Sequence, residues 1–571
     1  MAYSGMKRQK SARKSIKRLY EIRNCFSQNF GAEKHGLIES IRKLAIGSAA
    51  DAKKLHKALC FIRAFPDTVE IHRLASDFLE NFDDLVTGLT SAQQTRLDES
   101  GIRSTDIHYG FSFEVAAWLA RKHPGATQVD WAEIDDTSRI DELLEHLLEP
   151  AEADYFDSGE VSTQEWLTIS AERLAGTDFD WLMAQLHDRR RDNRFWTTLY
   201  NAADISLRCT LSGSELSVSA NVFDVGNVSC RRSPMHSRVT DAKKQIRSPV
   251  KSLKKLQRHS AERLIEVAMA SLAVRHRETF HFNYANADEV YLADVGRGVS
   301  IAVTGLQLDS RYPLETTMGF LILSNGVPIG YGGSSILFRQ ANTGINIFDE
   351  YRGSEAAWLW VQVMRVFHSL TGCTRYIANP YQFGSENSEA LRSGAFWFYY
   401  RLGYRPVEPS IRRLARKEFL KIRADKRYRT PLMRLKELAI CDMHLTLPDA
   451  RKNDFFDEAW IETTGLLATR QLAGTGALLR SKASLGLCRH IAEVMNIDTL
   501  HEWSIAERKW FAILSPLIAE ANPADWPAKD KRTLVRMIRA KGGESELDYA
   551  REARKLPRYF SALKKSCQLN S

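Results

Sequence analysis

The chain has 571 residues, 44% of them apolar and 26% charged; such a chain buries a large core without staples and is not generally disordered. Length alone suggests three or four domains. The net charge of +10 at pH 7 favours anionic partners: nucleic acid, a phosphorylated cofactor or a membrane surface.

Residues 1–200 read as a helical domain. Apolar residues recur at three- and four-residue spacing over 15–25, 37–44, 52–65, 71–82 and 139–148. Pro66 and Asp67 are expected to form a turn and cap the following helix. Residues 201–258 change character. Ile205, Leu207, Cys209 and Leu211 alternate with polar residues, as do Leu216, Val218, Ala220 and Val222, with Gly213 between the two runs. That pattern predicts a β-hairpin. The basic, large-apolar-poor stretch 231–258 then reads as a linker or mobile loop.

Residues 259–410 open on a helix at 261–274 and turn to strands at 299–304, 318–323, 327–337, 343–348 and 374–378. Asn325-Gly326 is a strong hairpin signal. An apolar helix at 355–370 lies between the last two strands. Residues 411–571 are helical again, most clearly at 463–472, 482–495, 504–520 and 533–540, with a turn at Pro523 and Pro527.

Basic clusters lie at 7–23, 231–263 and 412–436, and an acidic block at 130–160. Solvated surface is the plain reading of all four. The eight cysteines are scattered without a CxxC pair, which points to buried thiols in a reducing compartment and not to a disulfide framework. Cys441 and His444 have a ligand-like spacing but no second pair nearby, so no metal site is expected. There is no run of 18 apolar residues, and the basic start lacks an apolar segment of the secretory kind. A cytoplasmic protein without a membrane span is expected.

The chemistry concentrates at 343–407. A strand leads into Asp349-Glu350-Tyr351-Arg352-Gly353-Ser354 and then an apolar helix; a second strand and helix follow, closing on Tyr399-Tyr400-Arg401-Leu402-Gly403-Tyr404. Free backbone N–H groups at a helix N-terminus after a strand favour an anion. Over about 299–407 this resembles the GNAT acyltransferases, whose turn after the fourth strand holds the pyrophosphate of acyl-CoA. The family turn runs Arg or Gln, two residues, Gly, one residue, Gly or Ala. Arg352 fits its first place and Ala357 its last, and Gly353 fits the common Arg-Gly pair. Glu355 stands where the family has a glycine, and its charge opposes a pyrophosphate unless it points away. Asn387, Ala390, Tyr399, Gly403 and Tyr404 match the family's later phrase, with Ser393-Gly394-Ala395-Phe396-Trp397 making the Asn-to-Tyr gap longer.

The resemblance implies an α+β fold: a central mixed GNAT-like sheet with helices, flanked by large N- and C-terminal helical regions. It implies acyl-CoA or acetyl-CoA as substrate, held by Ile347, Arg352, Gly353, Ser354, Ala357 and Asn387, with no metal. It makes Tyr399 the acid that protonates the departing thiolate. Transfer to an amine also needs a base. His276, Glu278, His281, Asp288 and Glu289 cluster in and after 275–284, where a strand would put His276 and Glu278 on one face. Glu350, at the end of the central strand, is the alternative to His276, and Asn346 is a further polar residue there. No Walker A, GxGxxG, HExxH or GxSxG pattern competes. The glycine run 330–333 reads as a bulge or a close backbone approach.

The expected function is acyl-CoA-dependent N-acyl transfer to an amine on a small molecule, a protein or aminoacyl-tRNA. Two alternatives stay open. One is a non-catalytic scaffold of the same fold. The other is a nucleic-acid-binding protein, tRNA included, using the basic segments.

Overall fold

The computed structural model describes residues 2–188, 193–211, 215–235, 238–353, 355–451 and 455–570. It is an α+β architecture with two sheets and helices throughout. The five expected N-terminal helices are Ala2–Ile22, Gln28–Ile41, Ala49–Ala64, Val69–Glu80 and Ser138–Glu145. The break after Phe65 is built differently from expectation. Thr68 caps Val69–Glu80 by accepting from the Ile71 N–H. Asp67 is instead drawn into a buried ion pair with Lys34, 2.7 Å away.

The small sheet holds β1 (Asp106–Tyr109), β2 (Thr127–Val129) and β3 (Leu207–Thr210), with β3 central and antiparallel to both. The expected hairpin over 201–230 therefore does not form. Its turn at Gly213 lies outside the described residues, and 216–220 folds into turns. The reason is polar. Ser219 Oγ meets His56 Nε2 at 2.9 Å, Arg63 donates to the Val218 and Ser219 carbonyls, and Asn221 donates to Val267 O and Ser271 Oγ. These buried bonds replace a strand ladder.

The large sheet comprises β4 (Ser252–Lys255), β5 (Ala285–Gly296), β6 (Val299–Leu306), β7 (Thr316–Ser324), β8 (Val327–Leu337), β9 (Gln340–Thr343), β10 (Asn346–Ile347), β11 (Arg375–Ala378), β12 (Arg405–Pro406) and β13 (Met443–Thr446). Its order is β12-β13-β11-β9-β8-β7-β6-β5-β4, with β10 also on β8. The β7–β8 turn is the expected one: Asn325 and Gly326 have φ of 47° and 79°, as a type I′ hairpin needs. The stretch 231–258 is not a plain linker. It contains the short helix Ala242–Ile246 and edge strand β4, whose side chains are exposed and whose backbone pairs with β5. Apolar periodicity cannot announce such a strand.

One continuous core runs from Ile16 to Leu447 and takes in Leu547, so the N-terminal helices and the large sheet share it. The C-terminal helices Trp460–Gly474, Arg480–Met495, Ile505–Ala521, Ala528–Lys541 and Pro557–Asn570 enclose a second core, which Leu314, Leu337 and Phe338 enter from the sheet. Buried Lys541, Glu546 and Arg311 link the two: Lys541 Nζ lies 3.0 Å and Arg311 Nε 3.5 Å from Glu546 Oε1. Among the described residues no helix is long and apolar enough to cross a membrane.

Candidate active-site cleft

The site begins where two parallel strands part. β9 pairs with β11 only from Gln340↔Arg375 to Asn342↔Ile377. Beyond that, β11 runs into the turn Pro380–Phe383. The other chain breaks at Gly344 and Ile345 and rejoins β8 as β10, with Asn346 opposite Tyr331 and Ile347 opposite Gly330. The expected strand 343–348 thus starts earlier and is interrupted.

Gly332 of β8 accommodates the break, and its neighbour Gly333 makes room for a ring. A Cβ on Gly332 would sit 2.3 Å from the Gly344 carbonyl oxygen, and one on Gly333 2.0 Å from the His281 ring. The glycine run is a close approach of backbone and imidazole, one of its two expected readings. Gln382 occupies the divergence. It lies 3.0 Å from where a Gly344 Cβ would be, and its Oε1 accepts from the Tyr399 hydroxyl at 2.9 Å.

The parting opens into a cleft of about 2370 Å³. Small-molecule sites usually occupy roughly 300–1,000 Å³, so there is room for a large ligand and a second reactant. Eleven Arg or Lys and four Asp or Glu side chains line it. Such an excess focuses a positive potential on whatever enters.

Tyr399 sits at the cleft within an aromatic cluster of Trp360, Phe383, Phe398 and Tyr404. Burial pushes its phenol pKa up, so it stays protonated, as a proton donor must. The helix expected from Asn387 to Gly403 is two helices, Ser388–Ser393 and Ala395–Leu402, split at Gly394 with φ 69°. Asn387 lines the cleft, and its side chain caps the first of them by accepting from the Ala390 N–H.

The helix Ala356–Thr371 presents its first turn, Ala356 and Ala357, to the cleft. Glu355 is its N-cap residue but makes no side-chain cap bond. Its carboxylate is buried in a different direction, 2.7 Å from Arg231 and 3.0 Å from Arg297. Glu355 is not part of the cleft lining. Gly353 has φ 80°, with open space where a Cβ would sit. Arg352 is exposed and pairs with Glu389 at 2.8 Å and Asp349 at 3.0 Å. Ile347 lines the cleft beside Gly330. Ser354 lies outside the described residues.

The segment 275–284 is not a strand. It is a turn followed by the short helix Phe280–Asn283. His276 and Glu278 therefore share no strand face. His276 has φ 52°, stacks on Tyr109 with ring centroids 5.3 Å apart, and places Nε2 2.6 Å from Glu99. Glu278 is taken up by Ser112 and Asn283, Asp288 by Arg258, and Glu289 by the N–H groups of Glu546 and Leu547. Those three are structural.

Glu350 lines the cleft 3.6 Å from Arg275. Burial alone would raise its pKa; Arg275 and the backbone N–H of Glu350 itself, with a smaller contribution from Lys57, outweigh it and hold the carboxyl below its usual range. His281 gains most from the structure. Its ring packs on β8, its Nδ1 is buried without a hydrogen-bond partner, and burial pushes its pKa down to about 4. It faces the cleft as a neutral imidazole. Its signal in the sequence was Gly332-Gly333, which makes room for the ring.

Comparison with protein-family models, curated proteins and solved structures gave no match to this chain.

Proposed function

We propose that this cleft is the site of an acyl-CoA-dependent N-acyltransferase with a GNAT-like core. One observation carries the reading. The parallel pair β9–β11 parts at Asn342 and Ile377, and Tyr399 and the first turn of Ala356–Thr371 open into that same gap. A phosphate-bearing coenzyme finds free N–H donors and the positive helix end at Ala356 and Ala357. Glu355 does not oppose it, because Arg231 and Arg297 hold its charge elsewhere. Ile347, Arg352, Gly353 and Asn387 border the same turn and gap.

The step is acyl transfer. An amine nitrogen attacks the thioester carbonyl, the C–N bond forms and the C–S bond breaks. Tyr399 gives its proton to the departing thiolate, and the nitrogen gives its own to the imidazole of His276. Glu350, ionised beside Arg275, is suited to hold the incoming amine.

Calorimetric titration with acetyl-CoA and a long-chain acyl-CoA tests the reading. Binding in the micromolar range or tighter is expected, and no heat with either ligand leaves a scaffold without coenzyme. The phenol is tested separately. Tyr399→Phe is expected to lower turnover about 10²–10⁴-fold and leave coenzyme affinity nearly intact; unchanged turnover removes Tyr399 from the chemistry.

A further inference from the structure

The cleft carries more positive charge than a pyrophosphate needs, and most of the surplus comes from one stretch of chain, the flank 392–430. Arg392, Arg401, Arg423 and Lys426 are exposed, line the cleft, and have no ion-pair partner among the described residues. Arg413 and Arg416 continue from Arg423 along one face of the helix Pro409–Ala424, at positions i, i+3 and i+10. That stripe is about 15 Å long. The loop bearing Lys426 is fastened to the cleft wall. Trp397 Nε1 donates to Thr430 Oγ1 at 3.1 Å, the Trp397 and Phe419 rings stack, and the Tyr428 hydroxyl donates to Glu418. The cations are thus held in place without being neutralised.

A second feature narrows the ligand. Tyr381 is 60% exposed and Phe280 37% exposed, and both line the same cleft. Wet aromatic faces among free guanidinium groups suit stacked bases joined by phosphates. An acidic peptide offers nothing to stack, and a membrane surface does not enter a cleft.

We propose that the 392–430 flank, with Tyr381, binds single-stranded nucleic acid, and that this strand carries the acceptor amine to Tyr399. The second half rests on the acyltransferase reading; the binding surface does not. The amine is then an exocyclic base nitrogen or an amino acid esterified to the strand's end.

Fluorescence anisotropy with labelled single-stranded RNA and DNA of about 20 nucleotides tests it, beside duplex DNA and polyglutamate. Single strands are expected to bind tighter than duplex or polyglutamate. If four cations meet phosphates, the salt slope is about −3, so affinity falls about fifty-fold between about 50 and 200 mM salt. Arg423→Glu with Lys426→Glu should abolish most binding while the melting temperature stays put. Tyr381→Ala should weaken it about tenfold at fixed salt. Equal binding of polyglutamate, tighter binding of duplex, or indifference to both variants overturns the proposal. Parallel coenzyme titration separates the two readings. RNA binding without coenzyme binding sinks the transferase and keeps the surface; the reverse does the opposite.

Discussion

The segments 231–263 and 412–436 each carry eleven Arg or Lys and two Asp or Glu residues. In the folded chain they are opposites. In the first, Arg231, Arg247, Lys251, Arg258 and Arg263 each meet a carboxylate, mostly one far away in sequence: Glu355, Asp449, Asp294, Asp288 and Glu215. In the second, only Lys421 and Arg434 are paired among the described residues, with Glu418 and Glu437 close by in sequence. Equal charge density along the chain therefore says little about charge offered to a partner. What decides is whether the fold brings carboxylates to the cations.

The sharpest test lies at the buried end of the first segment. Glu355→Gln leaves Arg231 and Arg297 facing each other across a neutral amide in a site where Arg231 and Glu355 are almost wholly shielded. Removing one partner of a buried pair costs about 3–5 kcal/mol. The urea midpoint should fall accordingly with an unchanged slope. A loss below about 1 kcal/mol would place this segment with solvated surface charge and erase the contrast.

Acid sharpens the comparison by loading the fold without touching the free cations. Arg and Lys keep their charge from pH 4 to 8, so nucleic-acid affinity through 392–430 should be nearly flat there. Stability should not be. His281 has its pKa pushed down to about 4 by burial. Above the ordinary value of about 6.5, both folded and unfolded chains hold it neutral. Below that value the unfolded chain takes up a proton and the folded chain does not, so stability falls as pH falls through this window. The slope is about 1.4 kcal/mol per pH unit. His281→Gln should remove about 2 kcal/mol of the loss between pH 6.5 and 5, read from urea midpoints at both pH values. An unchanged acid slope would mean that His281 is already solvated.

Local signals were legible in the sequence and long-range ones were not. Asn325-Gly326 dictated its hairpin because both residues tolerate positive φ. The helix at 355–370 was found within a residue because its apolar face is continuous. The hairpin over 201–230 misled because alternation looks the same whether the polar residues meet water or, like Ser219 and Asn221, are buried against His56 and Ser271. The interrupted strand at 340–347 depends on Gly332 of the neighbouring strand, which no local window contains. At the site, Tyr399, Glu350 and His276 all reach the cleft. The orientation of Glu355 depends on Arg231, 124 residues away, and sequence spacing could not supply it.

The smallest expected effect is the most discriminating. Arg258 is exposed and pairs with Glu262 and Asp288. Its removal by Arg258→Ala should leave the urea midpoint unchanged within error and nucleic-acid affinity within about twofold, because one paired cation outside the cleft lining adds little to counterion release. Arg423→Glu with Lys426→Glu changes the overall charge more, so the fair control scales each loss by the charge removed. If Arg258→Ala then weakens binding in proportion, the nucleic acid responds to a diffuse field of the whole basic chain. The division between neutralised and offered cations would then not matter to the partner. If the loss per charge is confined to Arg423 and Lys426, the partner reads the fold's placement of charge and not its sum.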